Sequence, residues 1–483
     1  MLFKTGSKFA ILALIYGFLI SGNQSERTEH FDRDPEWEAV NNRPVGAKPR
    51  EVKQDFGWSP TSHAGRDKGE IGGLVTPAAE TAYYGRKIPR RTLNDRLSAS
   101  GVITCPDRQF HLLIGFFNSS TLNEWRTPNT IVLRLLGRGD HFYGFLEYCT
   151  QRWRAGGDSP RGFTAKDPET GKQAAIKFPS GNALHTWSIE YDPAGANGAA
   201  AITAVIDGQT AVCNLEVGHR ADGASFDHFG LLPIFKSVDG GGHVWLDDVT
   251  VDGVKDTFDR DPHWDEYRNR RTYVSADVRP WFDFGFSPTI FAGGKAPGEL
   301  GGLIFRGDGR YREKMAWYAD RIGPLSLEKP LRASGRICMR RGVSDSTTLL
   351  GFFNSKTSTA IYDAQDTGFP DDFLGIAIEG PSSEGFFVYP ACRTGRQARS
   401  NYGDRTINRI YPDGNSHDWQ LEYSPTGNGT VRVTLDKQSL TLDLDPPHKS
   451  ANSRFDRFGL ITTRIDGNAQ RVYFDDLTYT IRQ

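Results

Sequence analysis

The stretch Phe31-Asp32-Arg33-Asp34-Pro35, followed by Trp37, returns as Phe258-Asp259-Arg260-Asp261-Pro262, followed by Trp264. The offset is 258 − 31 = 227 residues. Working outward, Asp55-Phe56-Gly57 returns as Asp283-Phe284-Gly285, and Gly69-Glu70-Ile71-Gly72-Gly73 as Gly298-Glu299-Leu300-Gly301-Gly302. Gly115-Phe116-Phe117-Asn118-Ser119 is matched by Gly351-Phe352-Phe353-Asn354-Ser355, and His185, Trp187, Glu190 and Tyr191 by His417, Trp419, Glu422 and Tyr423. Phe226-Asp227 matches Phe455-Asp456, and Leu246-Asp247-Asp248 matches Phe474-Asp475-Asp476. Ordered matches with slowly drifting offsets mean two tandem copies of one large domain, because the period is far too long for a solenoid. The repeat places the expected domains at 30–253 and 254–483, with a very short linker between them.

Within a copy the chain reads as strand, turn, strand. Phe110 to Phe117, Thr130 to Leu136, Phe142 to Tyr148, Thr186 to Tyr191, Ala201 to Ile206 and Val244 to Val251 are short β-type runs separated by Gly, Asn, Asp or Pro. Asp207-Gly208 marks a two-residue hairpin turn. The 53 Gly, 26 Pro and 12% aromatics fit a turn-rich β protein, and the aromatic content argues against a disordered chain. With 58 basic and 59 acidic residues the formal charge is −1, which argues against nucleic-acid binding through a cationic field. At the start, Lys4 and Lys8 precede an apolar run from Phe9 to Ile20, then Ser21 and Gly22. Residues 1–22 read as a signal peptide, with an uncleaved anchor as the alternative, and no later segment could span a membrane. The expected location is secreted or periplasmic.

The strand with Trp187 and Glu190-Tyr191, the Asp207-Gly208 hairpin and the closing Val244-Trp245-Leu246-Asp247-Asp248 strand resemble the concanavalin A-like lectin/glucanase superfamily, including laminin-G-like jelly rolls. The resemblance covers both copies. It implies an all-β protein of two tandem concanavalin A-like jelly-roll β-sandwiches, and an exported protein that binds a polysaccharide or glycoconjugate. Fold alone does not set function, so the sites are argued from side chains.

Three readings compete. The first is carbohydrate binding, in which aromatics stack on sugar C–H faces while charged groups and amides bond the hydroxyls. Trp153, Tyr143, Tyr148 and Arg154 are its candidate contacts, with Trp125, Tyr362, Tyr389 and Tyr402 as further aromatics. Trp153 stands out because Gln151, Arg152 and Arg154 surround it outside any apolar alternation. The second is glycan cleavage in the first copy by a hydrolase or lyase, with Glu147, Arg152 and Arg134 as catalytic candidates and His141 beside them. The clustered Glu-x-Asp-x-x-Glu strand of hydrolases in this superfamily is absent. Arg134 and Glu147 could equally be a cross-strand ion pair. The third is a calcium-stabilised structural or adhesion module. Asp32 and Asp34 open the first copy and Asp247 and Asp248 close it; Asp259, Asp261, Asp475 and Asp476 repeat the pattern in the second. Clustered oxygens suit Ca²⁺, and Asp at turns and strand ends is the alternative. Of the five cysteines, Cys105 and Cys149, and Cys338 and Cys392, could form one disulfide per copy, leaving Cys213; free buried thiols are the other reading.

Overall fold

The computed structural model describes residues 23–44, 49–65, 67–123, 127–236, 240–275, 277–279, 281–362, 368–395, 397–400 and 407–483, with backbone alone over 158–161, 381–382 and 397–400. It contains two antiparallel two-sheet β-sandwiches, the all-β tandem architecture that was expected. In the first unit one sheet runs in the order Gln209–Asn214, Ala201–Ile206, Gly181–Asp192, Leu97–Cys105, Gly242–Val251, Glu70–Val75, Arg50–Ser59 and Arg271–Ser275. The facing sheet runs Ala155–Gly162, His141–Cys149, Thr130–Arg138, His111–Phe117, Ser225–Pro233, Tyr83–Thr92 and Asp265–Tyr267. The second unit repeats this plan with two further sheets.

The inward alternation follows from the two-residue period of a strand. In Gly181–Asp192, Trp187, Ile189 and Tyr191 are buried while Thr186 and Glu190 are exposed. Trp187 lies parallel to Phe229 of the opposite sheet at 6.3 Å, so one core fills the gap between the sheets. Trp419 and Phe474 meet at 6.4 Å in the second core. Repeated polar residues prove to be local fasteners. Tyr191 Oη donates to the Leu93 carbonyl at 2.7 Å and Tyr423 Oη to that of Leu327 at 2.8 Å. Glu70 accepts from the amides of His63 and Ala64, and Glu299 from those of Phe291 and Ala292.

Sheet membership departs from the boundaries read from the repeat. Residues 30–43, expected at the head of the first domain, pack together with residues 23–29 on the second unit. Gln24–Glu29 pairs along the C-terminal strand from Glu29↔Leu477 to Gln24↔Arg482, and Glu38–Val40 pairs with the Trp317–Ser326 strand. Phe31 and Trp37 are buried in the second core. Residues 254–275, expected at the head of the second domain, instead complete the first unit: Asp265–Tyr267 and Arg271–Ser275 add to its sheets, and Phe258 and Trp264 enter its core. A sequence repeat is indifferent to where its period is cut, so the motif marked the period and not the edge of a fold.

This arrangement explains why two separate motifs recur together. Each Phe-Asp-Arg-Asp-Pro strap passes directly over the glycine of its Gly-Glu partner. Gly69 has φ +111°, and a Cβ there would lie 1.9 Å from the Phe258 carbonyl oxygen. At Gly298, φ +137°, the distance to the Phe31 carbonyl oxygen would be 1.8 Å. Only glycine tolerates both that conformation and that approach.

All five cysteines are buried and none forms a disulfide, so the disulfide reading is not realised. Among the described residues no helix is long and apolar enough to cross a membrane.

Candidate functional site

The turn after the His141–Cys149 strand is organised by one hydroxyl. Thr150 Oγ1 accepts from the amides of Arg152 at 3.2 Å and Arg154 at 3.3 Å, and the Thr150 amide donates to the Arg154 carbonyl at 2.9 Å. This closure forces Trp153 to φ +61°, a region that a bulky side chain rarely enters. Arg154 anchors the turn. It donates to Asp222 at 3.2 Å, to Glu384 of the second unit at 2.9 Å and to the Val217 carbonyl at 3.1 Å. Glu384 also meets Arg409 at 2.7 Å and His219 at 3.2 Å. Burial opposes ionisation of Glu384, but hydrogen bonds from Arg154 and His219 and their charges outweigh it and hold the carboxyl below its usual range. Burial holds the His219 imidazole below its ordinary value, and the nearby Arg154 adds to that.

Around this knot the two units leave a cleft of about 610 Å³. The first unit contributes Gln151, Arg152, Trp153, Arg154 and Asp222; the second contributes Arg409, Tyr411, Asp413 and Gln438. Trp153 is half-buried and Arg152 exposed. The cleft thus joins a strained indole, a half-buried phenol, guanidinium groups and two side-chain amides. The second unit's contribution and Asp222 were not legible in the sequence, since residues 154 and 384 are held together only by the packing of the two units.

The sequence candidates divide among three environments. Arg152, Trp153 and Arg154 line the cleft. Arg134 and Glu147 share the outer face of the second sheet, as the alternation required, and form a buried ion pair at 2.6 Å. The Arg134 guanidinium lies 4.2 Å over the Phe145 ring, with His111 at 3.3 Å. Tyr143 is on that face too, its hydroxyl 3.1 Å from His141. The same face carries a covered apolar cluster of Leu113, Phe117, Val132 and Leu232, so it is not an open groove there. Tyr148 points the other way, into the sandwich core, with its hydroxyl 2.9 Å from His219. Trp125 and Tyr402 lie outside the described residues. In the second unit, Tyr389 donates to Glu379 and Tyr362 to Asp371.

Removing one partner of a buried pair leaves an uncompensated charge. Glu147→Ala is therefore expected to cost about 3–5 kcal/mol, while Arg134→Met with Glu147→Leu stays near wild type. Urea unfolding of the three chains checks this; equal losses in the single and double variants would contradict a pair acting in stability alone.

The acidic residues are grouped differently from the expectation. Asp32 and Asp34 do not join Asp247 and Asp248, because their strap lies on the second unit, where Asp34 accepts from Tyr318 Oη at 3.0 Å. Asp247 instead has Asp248, Glu70 and Asp259 as its charged neighbours. Asp475 has Asp476, Glu299 and His30. Asp261 accepts from the His263 amide and Asp259 from Thr257. Both closing strands carry a register shift at the Asp-Asp pair, and Asp248 and Asp476 take φ +56° and +51°. Such a bulge re-aims side chains. It drives Asp247 Oδ2 to 1.8 Å from where a Gly65 Cβ would sit, and Asp475 Oδ2 to 1.7 Å from that of Gly294. Asp475 is fully buried and its Oδ2 has no hydrogen-bond partner among the described residues. Burial, then the adjacent Asp and the nearby Glu, push both Asp247 and Asp475 up to about 6. Among the described residues no three His, Cys, Asp or Glu side chains converge as a metal would require.

No protein-family model matches the chain, and no curated protein matches it. Among solved structures, domains LG4-5 of the mouse laminin alpha1 chain are similar at 12% identity, covering 90% of this chain and 92% of that chain with a TM-score of 0.23. An endo-β-1,4-glucuronan lyase from the fungus Trichoderma reesei is similar at 12% identity, over 44% of this chain and 93% of its own, TM-score 0.24. An endo-1,3-β-glucanase from Streptomyces sioyaensis follows at 12% identity, over 48% and 95%, TM-score 0.23. At these scores the similarities carry no argument about function or site.

Proposed function

We propose that this chain is an exported carbohydrate-binding protein whose polysaccharide or glycoconjugate ligand lies in the cleft between the two units. The observation that carries the reading is Trp153, held at φ +61° beside the cleft by a turn that three partners of Arg154 fix in place. Strained side chains held by their surroundings concentrate at binding sites. An indole face with a phenol across from it suits sugar C–H faces, while Gln151, Gln438, Arg152 and Arg409 offer the planar polar groups that hydroxyls need. Binding without cleavage is the simpler reading. Asp222 and Glu384 already pair with Arg154, and Glu147 is committed to Arg134. A screen of immobilised glycans, followed by product analysis of those bound, tests it. Retention without new reducing ends or unsaturated uronates is expected; released products would make the chain an enzyme.

The calcium reading narrows to Asp247 and Asp475. The partnerless Asp475 Oδ2 and the glycine cradles fit a cation site, at which Ca²⁺ would supply charge compensation for a buried carboxylate. The pH dependence gives a direct test. A folded-state value near 6 against an unfolded value near 3.8 means that the folded chain holds these protons longer. In chelator, stability from these groups is therefore complete below about pH 4 and is lost as pH rises through about 6, by at most about 3 kcal/mol per carboxyl. Added Ca²⁺ should restore the loss at pH 7, and Asp475→Asn should remove half of the effect. A melting temperature at pH 7 that ignores both chelator and Ca²⁺ would sink the idea.

A further inference from the structure

The two straps carry the same motif but are tethered differently. Residues 254–275 run between the two units and are joined to described strands on either side. Residues 23–43 precede the first unit's Arg50–Ser59 strand in the chain yet pack on the second unit. Among the described residues, every long-range hydrogen bond and ion pair of this segment joins it to the second unit. Arg27 meets Asp320 at 2.5 Å, Glu38 accepts from Arg457, Asn42 donates to the Phe284 carbonyl and Arg43 meets Asp283 at 3.0 Å. The strap is thus a ligand of the second unit in its own right, with a six-residue ladder and two buried aromatics.

We propose that two copies of this chain exchange these straps, each supplying residues 23–43 to the other's second unit. Three observations converge on a second copy as the partner. The groove is specific in shape, since Gly298 leaves room for the Phe31 carbonyl and for no Cβ. The contacts that hold the strap involve no residue of the first unit, so they are identical whether the strap comes from the same chain or another. The strap and its partners are up to 460 residues apart in sequence, from Asn23 to Gln483, so the strap is made long before the groove that receives it is complete. Exchange of an identical element is a low-cost route to a dimer. The same-chain strap competes at an effective concentration of about 1 mM, so exchange should be slight at about 1 µM and extensive as the protein approaches about 1 mM.

Thr28 and Thr478 face each other across the antiparallel ladder with their hydroxyls 2.8 Å apart, and directly opposed positions of that kind accept a disulfide. Full-length Thr28→Cys and Thr478→Cys chains, carrying different tags, are unfolded together, refolded over that concentration range and oxidised. A covalent heterodimer that contains both tags, is reversed by reductant and grows with concentration is the expected result. The Thr28→Cys/Thr478→Cys double variant, refolded dilute, should close within one chain. If it closes and the mixed single variants give no heterodimer at any concentration, strap exchange is wrong. If it does not close, the strap itself is misplaced and the proposal falls with it.

Discussion

A chain lacking residues 23–43 is expected to lose cooperative unfolding of its second unit while the first unit still melts as a folded body. The deletion removes the Gln24–Glu29 ladder, the buried pair Phe31 and Trp37, and the ion pairs of Arg27 and Glu38. Truncating one buried Phe or Trp to Ala costs about 3–5 kcal/mol. Losing both, with a strand besides, consumes most of the roughly 5–15 kcal/mol that holds a typical domain folded. The fragments sharpen the test. Residues 254–483 should not fold alone, because they carry a strap that belongs to the first unit and lack their own. A permuted fragment should fold, in which Gln483 is joined by a short Gly-Ser linker to residue 23 and the chain ends at 43, because the Gln483 amide already donates to the Asn23 carbonyl at 2.9 Å. Cooperative β-type melting of 254–483, and its absence in the permuted fragment, would contradict the strap assignment.

The repeat, the all-β architecture and the inward faces of Trp187 and Trp419 were legible because strand periodicity and turn residues are local properties. The strap was not. Phe31 and Phe258 sit in identical motifs, and nothing local says that Phe258 completes the unit just before it while Phe31 completes the unit farther along the chain. The acidic grouping failed for the same reason, since Asp32 was assigned to the core it precedes. Trp153 drew attention because its polar neighbours break the alternation, and it lines the cleft. Glu384, Arg409 and Tyr411 escaped notice because the cleft is a product of how two units pack, and that packing has no sequence period.

Trp153→Ala is expected to weaken binding of any captured glycan by about 30-fold or more, the effect of losing a central aromatic anchor worth about 2 kcal/mol. Stability should move little, because the side chain removed is only half-buried and the Cβ at positive φ remains. Tyr411→Phe leaves the ring in place and should cost less. The Glu384→Gln change should weaken binding indirectly, by loosening Arg154 and with it the turn that presents the indole. Combining it with Trp153→Ala should add little, since both act through one side chain.

The most direct test is a titration of wild-type chain and the Trp153→Ala variant against the same screened glycan, with melting temperatures measured in parallel. The account expects saturable wild-type binding, near loss in the variant, and melting temperatures within a few degrees of each other. Equal affinity of the two chains for that glycan would contradict it and move the binding surface away from the cleft.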